Sequence, residues 1–235
     1  MADMRALQID FTRFMMRYKF GIDEVMTKVS ILREEFTHLH AYNPIEHVGS
    51  RLKSPESIVQ KTSRRGIEPS FDAIRESITD IAGVRITCSF VSDTYRVFDL
   101  LTSQSDLRVV EVKDYIAAPK PNGYKSLHVV VEVPIFLSGG PELVLVEVQI
   151  RTIAMDFWAS LEHKIYYKYR SDVPAELLEG LRSAAITAAQ LDDDMERLHF
   201  EVRELEPDVA LDGIVEPDEQ VIAQFLQARE TYSKE

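Results

Sequence analysis

Three groups of residues have the types and spacing to act on phosphates, and each has a purely structural alternative. The first is Arg51, Lys53, Ser57 and Lys61. Arg51 and Lys53 are two apart, so in a strand both point to one side. Ser57 and Lys61 are four apart, which puts them on one face of a helix. A strand delivering two cations to a helix N-terminus that carries a third would cradle polyphosphate. A solvated basic helix would show the same spacing.

The second group is a carboxylate pair, Asp80 in TDIAGVRI and Glu147 in LVLVEVQIR. Alone, Asp80 reads as a turn or cap residue. In the second segment Val144, Val146, Val148 and Ile150 alternate with Leu145, Glu147, Gln149 and Arg151. An acid, an amide and a cation thus share one face of a strand whose other face is apolar. The wet face of an antiparallel sheet would look similar. Two carboxylates from neighbouring strands nevertheless suit Mg2+, which takes oxygen ligands and keeps positions for water and substrate phosphates. The third group lies in PKPNGYKSLH, residues 119–128. Lys120, Lys125 and His128 can meet phosphates, Tyr124 offers a ring for a base to stack on, and Asn122-Gly123 is a tight-turn signal common to many hairpins.

The elements that must position these groups follow from periodicity. Residues 3–40 carry two helical patterns broken near Gly21, the second with Ile22, Val25, Met26, Val29 and Leu32 on one face. A short strand is expected at 47–53, then a helix capped by Ser54, started by Pro55 and stopped by Gly66. A helix near 71–78 leads to a strand at 83–90, with Val84, Ile86, Cys88 and Phe90 on one face. Ser92 is read as the cap of the next helix. Strands at 107–115, 126–136 and 143–151 follow, the last two joined through Ser138-Gly139-Gly140-Pro141. An amphipathic helix covers 152–169, a long helix runs from Pro174 to about Glu204, 206–218 reads as a linker, and a last helix starts near Glu219. The expected fold class is α/β (α+β): a mixed sheet of about five strands flanked by helices. It comprises a helical extension over 1–44, a catalytic domain over 45–170 and a second helical extension with an acidic tail over 171–235.

Composition narrows the chemistry. No apolar run approaches the 18 residues of a membrane span, the N-terminus lacks an apolar leader segment, and the single cysteine, Cys88, sits in an apolar stretch as a core residue. The cytoplasm is the expected compartment. The net charge of −12 is uneven: residues 1–170 hold 22 Lys+Arg and 22 Asp+Glu, whereas 171–235 hold 5 and 17. An acidic tail repels nucleic acid, so phosphate binding must come from a local cluster. Residues 49–66 provide one, with Arg51, Lys53, Lys61, Arg64 and Arg65 against Glu56.

In this order the segments RLKSPESIVQK, DIAGVRI, DYIAAPKPNGYKSLH, EVQIRT and FWASLEHKIYYKY closely resemble the synthetase domain of RelA/SpoT-type alarmone synthetases, over roughly residues 45–170. The flanking helices resemble those of its small, single-domain members. The resemblance implies a nucleotidyltransferase-like fold and transfer of the β,γ-pyrophosphate of ATP to the 3′-hydroxyl of GDP or GTP, with release of AMP. It implies that Arg51, Lys53, Ser57, Lys61 and Arg85 hold ATP. Asp80 and Glu147 would bind Mg2+, and Glu147 would serve as base for the 3′-hydroxyl. Tyr124 would stack on guanine, with Lys120, Asn122, Lys125, His128 and Gln149 completing the acceptor side. None of the six histidines precedes an aspartate, and the length leaves no room for further regulatory domains, so synthesis without hydrolysis is expected. Small members resemble homotetramers, and some bind their product, (p)ppGpp, or single-stranded RNA in a central cleft; the acidic tail disfavours the RNA.

Some residues are set aside. His38 and His40, two apart on a helix, face different ways and read as surface polarity. Trp158, at apolar spacing with Ile153, Phe157 and Leu161, reads as core; Glu162 and His163 are left outside the site. Two other functions compete. Another nucleotidyltransferase would usually show a Gly-Ser pair followed by Asp-x-Asp, which Gly49-Ser50 lacks. A non-enzymatic nucleotide- or RNA-binding module would not need both carboxylates and the tyrosine.

Overall fold

The computed structural model describes residues 2–40, 42–169, 173–205, 222–226 and 229. Its elements run α1 (Ala2–Leu39), β1 (Ile45–Leu52), α2 (Pro55–Arg65), α3 (Phe71–Ser77), β2 (Ala82–Cys88), α4 (Val91–Thr102), β3 (Arg108–Asp114), β4 (Leu127–Leu137), β5 (Gly140–Thr152), α5 (Ile153–Tyr169) and α6 (Ala175–Leu205). Residues 222–226 are also helical, within the expected last helix, whereas the expected linker at 206–218 lies outside the described residues.

The five strands form one mixed sheet in the order β1-β2-β5-β4-β3. β2 and β5 are parallel, and the other neighbours are antiparallel. Alternation divides the sheet into an apolar and a polar face. On the apolar face Val84, Ile86, Cys88, Val129, Val131, Val146, Val148 and Ile150 are buried in one core with Ile22, Val25 and Val29 of α1 and Val97 and Leu101 of α4. Each fully buried aliphatic side chain there contributes about 1.5–3 kcal/mol. Burial also pushes the Cys88 thiol far above its ordinary range.

Gly21 does not break the first helix, because α1 continues through it. A Cβ at Gly21 would come within 2.9 Å of Val144 Cγ1, so the residue marks where α1 lies closest to β5. The cost of glycine in a helix, about 1 kcal/mol, is offset by packing that no larger residue permits. Ser92 is not the cap of α4; that position is Phe90, whose backbone N–H donates to Asp93 Oδ2 at 3.3 Å. A carboxylate three residues into the helix satisfies the terminus in place of a hydroxyl at its start. The α2 signals hold: Ser54 Oγ accepts from Ser57 N, Pro55 opens the helix, and Gly66 ends it at φ +63°.

Candidate functional site

Strand pairing builds the site. Arg51, Gly83 and Glu147 lie abreast on β1, β2 and β5. Two residues along on the same face runs a second row: Gly49, Arg85, Gln149 and His128. Gly83 has no side chain between Arg51 and Glu147, and a cavity of about 300 Å³ opens there. Arg51, Lys53, Asp80, Arg85, Glu147 and Gln149 all line it, so six residues spread over 99 positions of sequence meet on one polar face.

Asp80 stands just before β2 and receives Lys53 Nζ on Oδ2 at 2.7 Å and Lys61 Nζ on Oδ1 at 2.6 Å. Burial raises its pKa, but the two ammonium groups outweigh burial and hold the carboxyl below its ordinary range. Glu147 behaves likewise: burial opposes its charge, but hydrogen bonds from His128 and Gln149 hold it below the ordinary carboxylate range, while the negative charge of Asp80 pushes back. Both acids are therefore ionised at neutral pH. Among the described residues no group of three or more His, Cys, Asp or Glu side chains could hold a metal by itself. Two ionised carboxylates facing one cavity instead fit a divalent ion that takes its remaining oxygens from water and phosphate.

A hydrogen-bonded chain joins this pair to the loop at 115–126. Arg151, 4% exposed, donates from its guanidinium to Tyr124 Oη and to Gln149 Oε1, each at 2.6 Å. Tyr124 Oη lies 2.7 Å from His128 Nε2, and His128 Nδ1 lies 3.2 Å from Glu147 Oε1. An Nδ1–H on His128 would donate to the Glu147 carboxylate, which can only accept. Gln149 Nε2 donates to Glu147 Oε2 at 2.9 Å. Lys120 Nζ sits over the rings of Tyr115 and Tyr124, 4.4 and 4.6 Å from their centroids, and Asn122 Nδ2 donates to Glu162 Oε1 at 3.2 Å.

Two of the expected site residues, Ser57 and Lys125, fall elsewhere. Ser57 accepts from Ser54 Oγ at 3.0 Å as part of the α2 cap and does not line the cavity. Lys125 stands on the far side of the loop, beside Asp192 of α6, in a small recess with Gly123 and Trp158. Trp158 is buried as expected, but Ile153, Phe157 and Leu161 are 51%, 65% and 40% exposed. They line an open groove of about 990 Å³ between α5 and α6. His38, His40 and His163 are exposed.

Sequence reasoning left out Arg151, Asp156 and Tyr115. Asp156 Oδ1 is shared by Arg85 at 3.1 Å and Arg151 at 3.2 Å, which fixes both guanidinium groups. The signal for Arg151 was available, since alternation placed it on the face of Glu147 and Gln149. Asp156 carried none, because a helix residue beyond the strand end meets β2 only through the fold.

The model of the region found in RelA / SpoT proteins matches residues 50–172. The chain belongs to this family. It is 52% identical to the GTP pyrophosphokinase YwaC of Bacillus subtilis over 86% of this chain and 96% of that protein. Among solved structures, the small alarmone synthetase 2 of Bacillus subtilis superposes with a TM-score of 0.75 at 52% identity, covering 82% of this chain and 99% of that one. Small alarmone synthetase 1 of the same organism has been solved with its product pppGpp (TM-score 0.77, 37% identity, 83% and 98% covered) and with AMPCPP (0.72, 35%, 83% and 98%). Family membership fits the fold: the matched region covers β2 to β5, the end of β1 and both carboxylates.

Proposed function

We infer that the protein is a GTP pyrophosphokinase that makes the alarmone (p)ppGpp, moving the β,γ-pyrophosphate of ATP to the 3′-hydroxyl of GDP or GTP. The observation that carries this reading is the single polar cavity in which Asp80 and Glu147 face Arg51, Lys53 and Arg85 and connect through His128 to Tyr124. In the reaction the 3′-oxygen attacks the β-phosphorus of ATP, the bond to the bridging oxygen of the α-phosphate breaks, and AMP leaves. Such transfer depends on positioning and charge neutralisation more than on covalent help from the protein.

Arg51, Lys53, Lys61 and Arg85 supply the positive charge that receives the triphosphate. Lys53 and Lys61 are pre-oriented by Asp80, so their rotamers need little ordering when phosphate arrives. Asp80 and Glu147 would hold Mg2+, which when bound neutralises phosphate charge and stabilises the pentavalent transition state. Glu147, ionised and held from two sides, receives the proton of the 3′-hydroxyl. Tyr124 provides the acceptor's stacking surface, and the Arg151–Tyr124–His128–Glu147 chain keeps that surface in register with the base. A cytoplasmic location is part of this reading, since ATP and guanosine nucleotides are its proposed substrates; no described helix is long and apolar enough to cross a membrane.

The purified chain incubated with labelled ATP, Mg2+ and GDP or GTP should yield AMP and a 3′-pyrophosphorylated guanosine nucleotide. No AMP from folded protein would sink the enzymatic reading. Activity lost to chelator and restored by Mg2+ supports the ion; activity unaffected by exhaustive chelation defeats it. A homotetramer is also proposed, supported by the open apolar groove between α5 and α6 and by Met4 and Leu7, which are 69% and 60% exposed on α1. A monomer by light scattering at micromolar concentration would end that proposal.

A further inference from the structure

The loop that carries Tyr124 closes its own turns, with Gly123 N donating to Lys120 O at 2.8 Å and Lys120 N to Tyr124 O at 3.1 Å, and as a unit it rests on α6. Gly123 has φ +90°, and a Cβ there would stand 2.5 Å from Ala185 Cβ and 4.0 Å from the Arg182 carbonyl oxygen. Loop and helix are therefore in direct backbone-to-methyl contact. The Tyr124 ring packs with Trp158, Ala185, Leu181 and Ala188 in a small core separate from that of the sheet. Two hydrogen bonds fasten the helix to the catalytic domain at either side of this contact: Trp158 Nε1 donates to Leu181 O at 2.8 Å, and Thr152 Oγ1 donates to Asp192 Oδ2 at 2.8 Å. Thr152 and Asp192 are both buried. Yet α6 begins at Ala175, beyond the residues at 50–172 that the family model matches.

We propose that α6 positions the acceptor nucleotide, with Ala185 as the positioning residue whose side-chain size sets how deep the Tyr124 loop can sit. The proposal rests on the pyrophosphokinase reading and adds a determinant to its acceptor side. The reasoning is steric. Gly123 carries no side chain and Ala185 only a methyl, and their approach leaves no room for a larger group. A larger residue at 185 must push the loop outward. Tyr124 Oη then moves relative to His128 and Arg151, and the ring shifts relative to Glu147. The ATP side, built on β1, α2 and the start of β2, is not part of the Gly123–Ala185 contact, and its link to this chain runs only indirectly, through Arg85 sharing Asp156 with Arg151 and through Glu147 at the common cavity. Overpacking at one contact should therefore separate the two substrates.

The test is a size series at one position, Ala185→Gly, Ala185→Ser and Ala185→Val, with Ser183→Val on the exposed side of the same helix as control. KM for the guanosine nucleotide should climb with side-chain size, by about tenfold for Val given the usual penalty for overpacking, while KM for ATP stays within about twofold. Ala185→Gly should lower the melting temperature through its helix cost yet leave the acceptor KM near that of the parent. Ser183→Val should change neither. Trp158, the chain's single tryptophan, reports by its fluorescence that the α5–α6 contact is intact in each variant. If Val fails to fold, the Gly, Ala and Ser members still decide the slope. An acceptor KM that is flat across the series, or that rises in step with the ATP KM, overturns the proposal. Should the parent form no AMP, the enzymatic reading falls by itself, and calorimetric binding of GDP across the same series still decides the role of Ala185.

Discussion

On the proposed assignment of donor and acceptor residues, the two halves of the site are made differently. The donor half is local: Arg51, Lys53, Lys61, Asp80 and Arg85 fall within 35 residues, and its main ion pairs close inside β1–α2–β2. The acceptor half is assembled at long range, with Asn122 on Glu162, Gly123 on Ala185 and Thr152 on Asp192. The donor half is held by ion pairs, and the acceptor half by packing together with hydrogen bonds between distant segments. Cations paired to one carboxylate can turn to phosphate with little rearrangement, whereas a packed ring must already be in place when its ligand arrives. ATP binding should therefore respond to charge substitutions and acceptor binding to shape.

The most severe break lies where the halves meet. Glu147→Gln removes the charge that both share, and turnover should fall by at least about a thousandfold, with ATP binding by calorimetry largely kept; a near-normal rate would show that Glu147 is neither base nor metal ligand. Asp80→Asn leaves Lys53 and Lys61 facing each other without their anion. It should cost activity heavily and about 1–3 kcal/mol of stability, discounted for the partial exposure of the three groups. Thermal unfolding without a change would contradict that account. Tyr124→Ala should raise the acceptor KM by about 10–100-fold, the value of one base stack, and the ATP KM by far less. An equal rise in both would erase the distinction between charge-built and packing-built halves.

A smaller effect tests the brace on the acceptor side. Burial is the main influence on Asp192 and raises its pKa to about 6; Thr152 and Lys125 pull it down, while Asp193 and Glu196 push it up. The folded state thus binds this proton more tightly than the unfolded chain, so the residue costs stability progressively as pH rises from about 4 through 6. Asp192→Asn keeps an acceptor for Thr152 Oγ1 and should raise the melting temperature at pH 7.5, with the gain shrinking at pH 5. A gain independent of pH would assign the effect to packing. Smallest of all should be Ser57→Ala, because its hydroxyl meets only the α2 cap; a tenfold rise in ATP KM would show that Ser57 reaches phosphate despite lying outside the cavity.

The donor half was the more legible in the sequence for the same reason that it is local. Ser54-Pro55, Gly66 and the two-residue spacing of Arg51 and Lys53 describe short-range geometry, which alternation and capping rules capture. The acceptor loop could be named but not placed: nothing in PKPNGYKSLH tells that Lys125 turns toward Asp192 while Lys120 turns over Tyr124. Where reading failed, a tertiary contact had replaced a local rule. Gly21 looked like a break because its helix cost is local, whereas its benefit, close approach to Val144, is not. Ser92 looked like a cap until Asp93, pointing back to Phe90, took that role.

Taken alone, the sequence determined most element types, the apolar face of the sheet, and the presence of Asp80 and Glu147 among cations in segments that end near the sheet. These follow from periodicity and side-chain type, which neighbours in the chain express. Only the tertiary structure decided the strand order that brings Arg51, Gly83 and Glu147 abreast, the sharing of Asp156 by two arginines, and the seating of Gly123 on Ala185. Those contacts join segments up to about a hundred residues apart, and their energies exist only once the chain has closed around a single core.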